Sequence, residues 1–448
     1  IHRGDLRNLR SFLIEMDPPD LADLIDDLPS HEMAVVFRLL PRELATDVFE
    51  LLPLEMQENT VRGLAQSEVA QILNDMSPDD RTLLLEELPP NVTVQALSLL
   101  SPEELKIAKT LLGYPEDSIG RRMTPDYVRI RDYWTVTEAL AHIRRYGSAS
   151  ETLDMLYVVD SHGVLTDEIQ LRDLVLANPD QIVSDLMDRQ FVALKATDDQ
   201  ETAVETFRRY DRVALPVTDS AGHMIGILTV DDVLDVATEE ATEDIHKLGG
   251  LQALDTPYMT TDLPVMIWKR APWLVVLLFG EMLTILALSR YEHSIAQAAV
   301  LATFLPLIIS SGGNSGSQAA SLVIRALALG EVTIVMWWQV FRRELISGLS
   351  LGLIVGSVGF VPAAIYSLFI RPDLYGAFWL AIGLTVMFTL IGVVLWGTLM
   401  GSLLPILLRR MGFDPATASA PAVTTLVDVT GLLIYFTIAM ALLKGSVL

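Results

Sequence analysis

Pro421-Ala-Val-Thr-Thr-Leu-Val-Asp428-Val-Thr-Gly431-Leu-Leu-Ile-Tyr-Phe436 is an apolar run that keeps one carboxylate near its start. A charged side chain at membrane depth costs several kcal/mol unless it faces water, an ion or a partner, so such a residue marks an ion pathway by default. The alternative is a carboxyl kept neutral, or hydrogen-bonded for packing. Thr424 lies four residues before Asp428 and Gly431 three after it, so all three share a helix face with hydroxyl and carbonyl oxygens close by. Pro421, near the helix start, can leave carbonyls of the preceding turn free.

Four more apolar stretches precede this one, at about 272–290, 295–329, 344–369 and 376–408, each long enough to span a bilayer. Some exceed the roughly 20 residues of a straight span, which implies tilt, breaks or interfacial extensions. The second is interrupted on paper by Ser310-Ser-Gly-Gly-Asn314-Ser-Gly-Ser-Gln318, a stretch expected either to break the helix beside water or to let helices approach closely. It is no phosphate loop, since no Lys-Ser or Lys-Thr follows its last glycine. Asn314, Thr424, Thr425 and Gly431 are therefore pore-lining candidates. Glu281, within the first span, is expected in a structural hydrogen bond or ion pair, with a cation-ligand or proton-carrier role as the other reading.

Charge divides the 448 residues sharply. Seven of the 57 acids and eight of the 32 Lys and Arg lie after Arg270, which leaves a net charge of −26 on the first 270 residues. Such a surface repels nucleic acid and attracts divalent cations, although solubility alone is the plainer account of scattered charge. No cysteine is present, so any metal here is bound by oxygen, which suits magnesium, calcium or manganese. Ile1–Arg10 has arginines without an apolar core behind them, so the amino-terminal part is expected in the cytosol. Spans alternating from there put seven Lys and Arg inside against three outside (Arg290, Arg371, Lys444). That agrees with the positive-inside rule for a bacterial inner (plasma) membrane protein.

Within the acidic part, Leu28-Pro29, Leu40-Pro41 and Leu52-Pro53 recur every twelve residues and are echoed by Met76-Ser-Pro78, Leu88-Pro89 and Leu100-Ser-Pro102. This predicts a superhelix of short helices, with Ser30, Ser67, Ser77 and Ser101 as candidate caps. After Met123-Thr-Pro125, Leu156-Tyr-Val-Val-Asp-Ser-His-Gly163 with Leu171-Arg-Asp-Leu174 is matched about sixty residues later by Leu215-Pro-Val-Thr-Asp-Ser-Ala-Gly222 with Val230-Asp-Asp-Val233. The repeat indicates a tandem α/β module, which resembles a pair of CBS domains; such pairs bind adenine nucleotides or ions between the copies. From Asp231 to Asp244 seven acids crowd one helix, and the i,i+4 pairs Glu239 with Glu243 and Glu240 with Asp244 repel. Something positive is expected to offset them.

Taken whole, the chain resembles the MgtE family of magnesium channels or transporters. The strings that carry the likeness are Gly120-Arg-Arg-Met-Thr-Pro-Asp-Tyr127, Glu240-Ala-Thr-Glu-Asp-Ile-His-Lys-Leu-Gly249, Gly312-Gly-Asn-Ser-Gly-Ser-Gln318 and Leu426-Val-Asp-Val-Thr-Gly-Leu432. The resemblance implies a multidomain homodimer in the lipid bilayer. Its parts are an all-α superhelical repeat (N) domain at 1–120, an α/β CBS pair at 121–240, a connecting (plug) helix at 241–270 and a five-helix transmembrane pore domain at 271–448. It implies Asp428 as the pore carboxylate for hydrated Mg2+, and Asp79, Asp231, Asp232, Glu239, Glu240, Glu243 and Asp244 as ligands of a cytosolic magnesium sensor. ATP at the CBS pair is implied as well. The first copy departs from the family pattern, reading Val164-Leu-Thr-Asp-Glu-Ile169 in place of a glycine-containing turn, which weighs against nucleotide there.

The function expected is a magnesium-selective channel gated by cytosolic magnesium. A secondary transporter coupling a divalent cation to protons or sodium through Glu281 and Asp428 is the alternative. No His-Glu-x-x-His, P-loop or Gly-x-Ser-x-Gly occurs, so an enzyme is not expected.

Overall fold

Prolines punctuate the amino-terminal region because a proline tolerates the first helical position and disfavours helix in the residue before it. In the computed structural model, which describes residues 6–26, 28–254, 258–259, 261–292, 299–418 and 420–443, Pro29, Pro41, Pro53 and Pro89 stand immediately before helices. Pro78 and Pro102 open theirs. The helices run from Leu6–Ile14 to Pro102–Leu111, and most pack on the one two ahead, as Pro18–Asp26 does on Arg42–Glu50 and Pro78–Glu87 on Pro102–Leu111. Leu21, Ile25, Val48, Phe49, Leu73 and Leu84 fill the shared core. Ser101 caps its helix, accepting from the Glu104 amide at 3.2 Å. Ser77 occupies a cap position but turns its hydroxyl to Asp80 instead, and Ser30 and Ser67 fall inside their helices, so three of the four expected caps fail.

Two three-stranded sheets follow, β1(Arg129–Arg131)-β2(Met155–Val159)-β3(Leu165–Gln170) and β4(Leu194–Lys195)-β5(Ala214–Thr218)-β6(Met224–Thr229). In each, the first pair is parallel and the second an antiparallel hairpin. The Asp-Ser-x-Gly turns explain the hairpins: Asp160 Oδ1 accepts the amides of His162 and Val164, and Asp219 Oδ1 those of Ala221 and His223. Gly163 and Gly222 close the turns at φ +90° and +85°, where a side chain would be strained. Leu111, Ile119, Leu194, Leu215 and Leu228 share one core, so the last helix of the repeat region is built into the second CBS copy.

The chain divides into two units, Ile1–Glu240 and Ala241–Leu448. Helix Val230–Leu248 carries the chain from the first into the second. Within the expected connecting segment 241–270, that helix ends at Leu248 and helix Leu263–Arg290 begins, with residues 255–257 and 260 outside the described residues.

Among the described residues, five helices of the second unit are long and apolar enough to cross a membrane: Leu263–Arg290 (span 1), Ala299–Ala328 (span 2), Ile334–Ile370 (span 3), Pro372–Arg410 (span 4) and Ala420–Leu443 (span 5). Lys444, counted among the outside charges, lies outside the described residues. Span 2 is continuous through Ser310–Gln318, which corrects the expectation of a break. Its glycines allow contact instead. A methyl on Gly313 would lie 2.7 Å from Thr424 Cγ2 of span 5, and one on Gly316 2.8 Å from Val423 Cγ1. Span 3 has its own stripe, Gly348, Gly352, Gly356 and Gly359, against span 4; a methyl on Gly352 would lie 2.9 Å from the Ile391 carbonyl. Small residues that let backbones approach drive packing of this kind in lipid.

Candidate functional site

In the first unit a cavity of about 1200 Å³ is lined by eleven carboxylates and a single base, Arg42. That base is already paired with Asp75. Separate elements supply the acids: Glu50 ends helix Arg42–Glu50, Asp79 and Asp80 sit in the first turn of helix Pro78–Glu87, and Asp231 and Asp232 in that of Val230–Leu248, followed by Asp235. Asp126 and Glu151 come from the loops of the first CBS copy. Amide-rich helix starts tolerate four of these carboxylates.

Local bonds satisfy part of the set. Glu50 accepts the Ser77 amide at 2.8 Å, Asp80 the Ser77 hydroxyl at 2.8 Å, and Asp232 the Thr229 hydroxyl at 2.5 Å. Asp79 is buried, at 7 % exposure, and its Oδ1 has no partner in the protein. Burial, then the charge of Asp232, holds the Asp79 carboxyl well above the usual range. Burial likewise pushes Glu50 and Asp232 up to about 7. Such a group is poorly solvated and crowded by other carboxylates, which is the electrostatic condition a divalent ion relieves. Among the described residues no three His, Asp or Glu side chains converge tightly enough to hold one bare ion. The arrangement suits an ion that keeps waters, as Mg2+ does.

Of the sensor candidates, Asp79, Asp231 and Asp232 meet at this cavity. Glu239 instead pairs with Arg122 at 2.7 Å, and Glu240 accepts from Gln200 at 2.9 Å. Glu243 and Asp244 belong to the second unit, where Glu243 pairs with Lys247 and Asp244 is half-buried. Lys247 and Arg122 are the positive charges the crowded helix called for. Glu50, Asp126 and Glu151 escaped the sequence reading because no local pattern sets them apart from the other acids of an acidic region; Asp80 and Asp235 adjoin acids already singled out.

In the second unit Asp428 is 9 % exposed, and its Oδ1 is buried without a hydrogen-bond partner. Glu281 of span 1 is the acid that acts on it electrostatically. Spans 1 and 5 meet at Gly280, where a methyl would lie 2.6 Å from Thr425 Cγ2. Thr284, one turn after Glu281, also has a buried hydroxyl oxygen without a partner. Thr424 bonds Ser317 at 3.1 Å and Thr430 accepts Trp396 Nε1 at 2.8 Å, so those hydroxyls serve helix packing. Gly431 faces Val393 of span 4, and Asn314 is exposed with its amide on Ser310 at 3.3 Å. Asp428 Oδ1 and the Thr284 hydroxyl are left without partners, and Glu281, half-buried, lies one turn before Thr284 on span 1.

An acid-lined cytosolic cavity followed by five spans that carry Glu281 and Asp428 among apolar residues defines a membrane protein that handles divalent cations. Profiles described as "Divalent cation transporter", "MgtE intracellular N domain" and "CBS domain" match residues 305–438, 16–117 and 183–239. A protein named magnesium transporter MgtE from Thermus thermophilus is 38 % identical over 99 % of this chain and 97 % of its own length. The Bacillus subtilis protein of that name is 32 % identical over 99 % and 95 %. The solved cytosolic domain of the Mg2+ channel MgtE in complex with ATP is 37 % identical and covers 52 % of this chain and 96 % of its own, with a TM-score of 0.51. This chain belongs to the MgtE family of magnesium transporters, bacterial inner-membrane proteins with cytosolic amino-terminal domains.

Proposed function

We propose that this protein is a magnesium-selective channel whose conduction is controlled by cytosolic Mg2+ bound in the acidic cavity. The buried carboxylate of Asp79, whose Oδ1 has no partner in the protein, carries the gating half of this reading. With cations bound, Asp79, Asp80, Asp231 and Asp232 are bridged and the cytosolic unit is held compact; without them, like charges at low dielectric push its domains apart. The cation closes the pore by binding the compact state more tightly than the open one.

Asp428 carries the conduction half. Its unpartnered oxygen beside Glu281 is suited to water or a hydrated ion, since a buried polar atom left unbonded in lipid is costly. A second copy of the chain would place two such carboxylates about one axis, so a homodimer is the economical assembly.

Recordings on purified protein in bilayers, with cytosolic-side magnesium varied, test both halves. A reversal potential that follows the magnesium gradient and ignores pH and sodium is expected, with current falling as internal magnesium rises. A reversal potential that moves with pH or sodium would establish coupled transport through Glu281 and Asp428 instead. Asp79→Asn with Asp232→Asn should leave current at magnesium levels that silence the parent; unaltered inhibition would remove the cavity from the gate.

A further inference from the structure

The two CBS copies correspond residue by residue. Tyr157 pairs with Glu168 and Val158 with Asp167 across β2–β3, as Pro216 pairs with Ile227 and Val217 with Gly226 across β5–β6. Both hairpins shift register at the same place, so Asp167-Glu168 in the first copy stands where Gly226-Ile227 stands in the second. Gly226 is needed there: a methyl on it would lie 2.9 Å from Met123 Sδ and from the Thr124 carbonyl. In the first copy Asp167 stands at that position, followed by Glu168 where the second copy has Ile227. Asp167 is fully buried and accepts the amides of Glu168 and Arg189, both at 2.9 Å.

Glu168 turns toward the other copy. Its side chain is 2 % exposed and pairs with Arg212 Nη2 at 2.8 Å, Arg212 lying just before β5. Tyr157, on the same face as Glu168, joins Met155, Val159, Leu165, Met224 and Ile227 in the apolar seam between the copies. The ion pair therefore lies between the two copies, the region in which CBS pairs take adenine nucleotides.

The residues present do not fit such a ligand. Around Glu168 the acids Asp167 and Asp188 stand against Arg212, so a polyphosphate brought up to this carboxylate is repelled. A nucleotide would also have to break the Glu168–Arg212 pair and leave a buried carboxylate uncompensated, which is strongly unfavourable.

We infer that the Glu168–Arg212 pair occupies this chain's inter-copy cleft in place of an adenine nucleotide, so that its response to magnesium is independent of ATP. The inference rests on the reading of the acidic cavity as a magnesium sensor, and the test separates the two. Purified full-length protein is heated with increasing free Mg2+, held by a metal buffer, with and without millimolar ATP or AMP, and labelled ATP binding is measured by equilibrium dialysis. The expected result is stabilisation by Mg2+ with a midpoint that changes less than twofold with either nucleotide, and no saturable ATP binding. Saturable binding, or a midpoint moved severalfold at constant free Mg2+, would overturn the inference. Absence of any Mg2+ stabilisation would instead defeat the sensor reading and leave the dialysis result as the decisive one here. The variant Glu168→Ile/Arg212→Leu, which gives this site the apolar residues its pseudo-equivalents Ile227 and Leu153 have, should retain the Mg2+ midpoint within twofold; a shift as large as that of Asp79→Asn would show that the pair belongs to the magnesium response and overturn its assignment to the nucleotide cleft.

Discussion

Lys247 donates its ammonium to Asp414 Oδ2 at 2.6 Å and also pairs with Glu243 one turn back on its own helix. Asp414 in turn accepts the Ala416 amide at 2.8 Å, in the turn before span 5, the helix of Asp428. Burial works against the ammonium, but hydrogen bonds and charge from Asp414 and Glu243 outweigh it and hold the lysine above its usual pKa. A cation thus ties the end of helix Val230–Leu248 to the approach of span 5.

Removing that cation leaves Glu243 and Asp414 facing each other as like charges. Lys247→Met is expected to raise the internal magnesium needed to silence flux by several-fold, with the protein still folded. Flux assays in liposomes across internal magnesium concentrations check this, and an unshifted midpoint would separate the lysine from gating.

At the acidic cavity, Asp79 is held above the usual carboxylate range by burial and by its acidic neighbours. Asp79→Asn should therefore stabilise the magnesium-free protein and lessen the stabilisation magnesium adds. In melting curves with chelator and with excess Mg2+, the gap between the two should narrow by several degrees, as loss of a ligand requires.

Glu168 gives a pH signature. Burial raises its carboxyl from 4.5 to about 7 in the folded protein, so the folded form holds the proton more tightly than the unfolded chain. That contribution is full below about pH 4.5 and is lost as pH rises through 7. Glu168→Gln, which keeps the neutral shape, should gain stability relative to the parent as pH goes from 5 to 8, by up to about 3 kcal/mol at the upper end. Denaturant unfolding at several pH values measures it; a difference independent of pH would contradict the assignment.

The glycines of spans 2 and 4 act through packing. A methyl on Gly397 would lie 2.5 Å from the Gly312 carbonyl oxygen, which is backbone and cannot swing aside. Gly397→Ala should cost about 1–3 kcal/mol by overpacking. Gel filtration and melting in detergent would show it as lost folded protein, whereas a full yield with altered conductance would favour a pore-lining role.

Much of this was legible in the sequence because the signals were periodic. The twelve-residue Leu-Pro spacing marked the helices, the matched Asp-Ser-x-Gly stretches the tandem α/β module, and the apolar runs the five spans. Asp428 stood out because a carboxylate is conspicuous among apolar residues. What stayed hidden depends on contacts across the fold. Glu50, Asp126 and Glu151 join Asp79 only when separate elements close around a common cavity, and no local pattern marks them. Ser310–Gln318 looked like a break because its composition is polar. It remains helical because Ser315 bonds the Val394 carbonyl, Ser317 bonds Thr424, and the glycines take up neighbouring helices.

Magnesium uptake by liposomes containing Asp428→Ala and Asp428→Asn, beside the parent and at low internal magnesium, tests the central claim most directly. Both variants should elute and melt as the parent does yet lose nearly all flux, because the unpartnered carboxylate is what meets the ion. Uptake at the parent's rate by either folded variant would show that Asp428 is a packing residue and that the ion passes elsewhere.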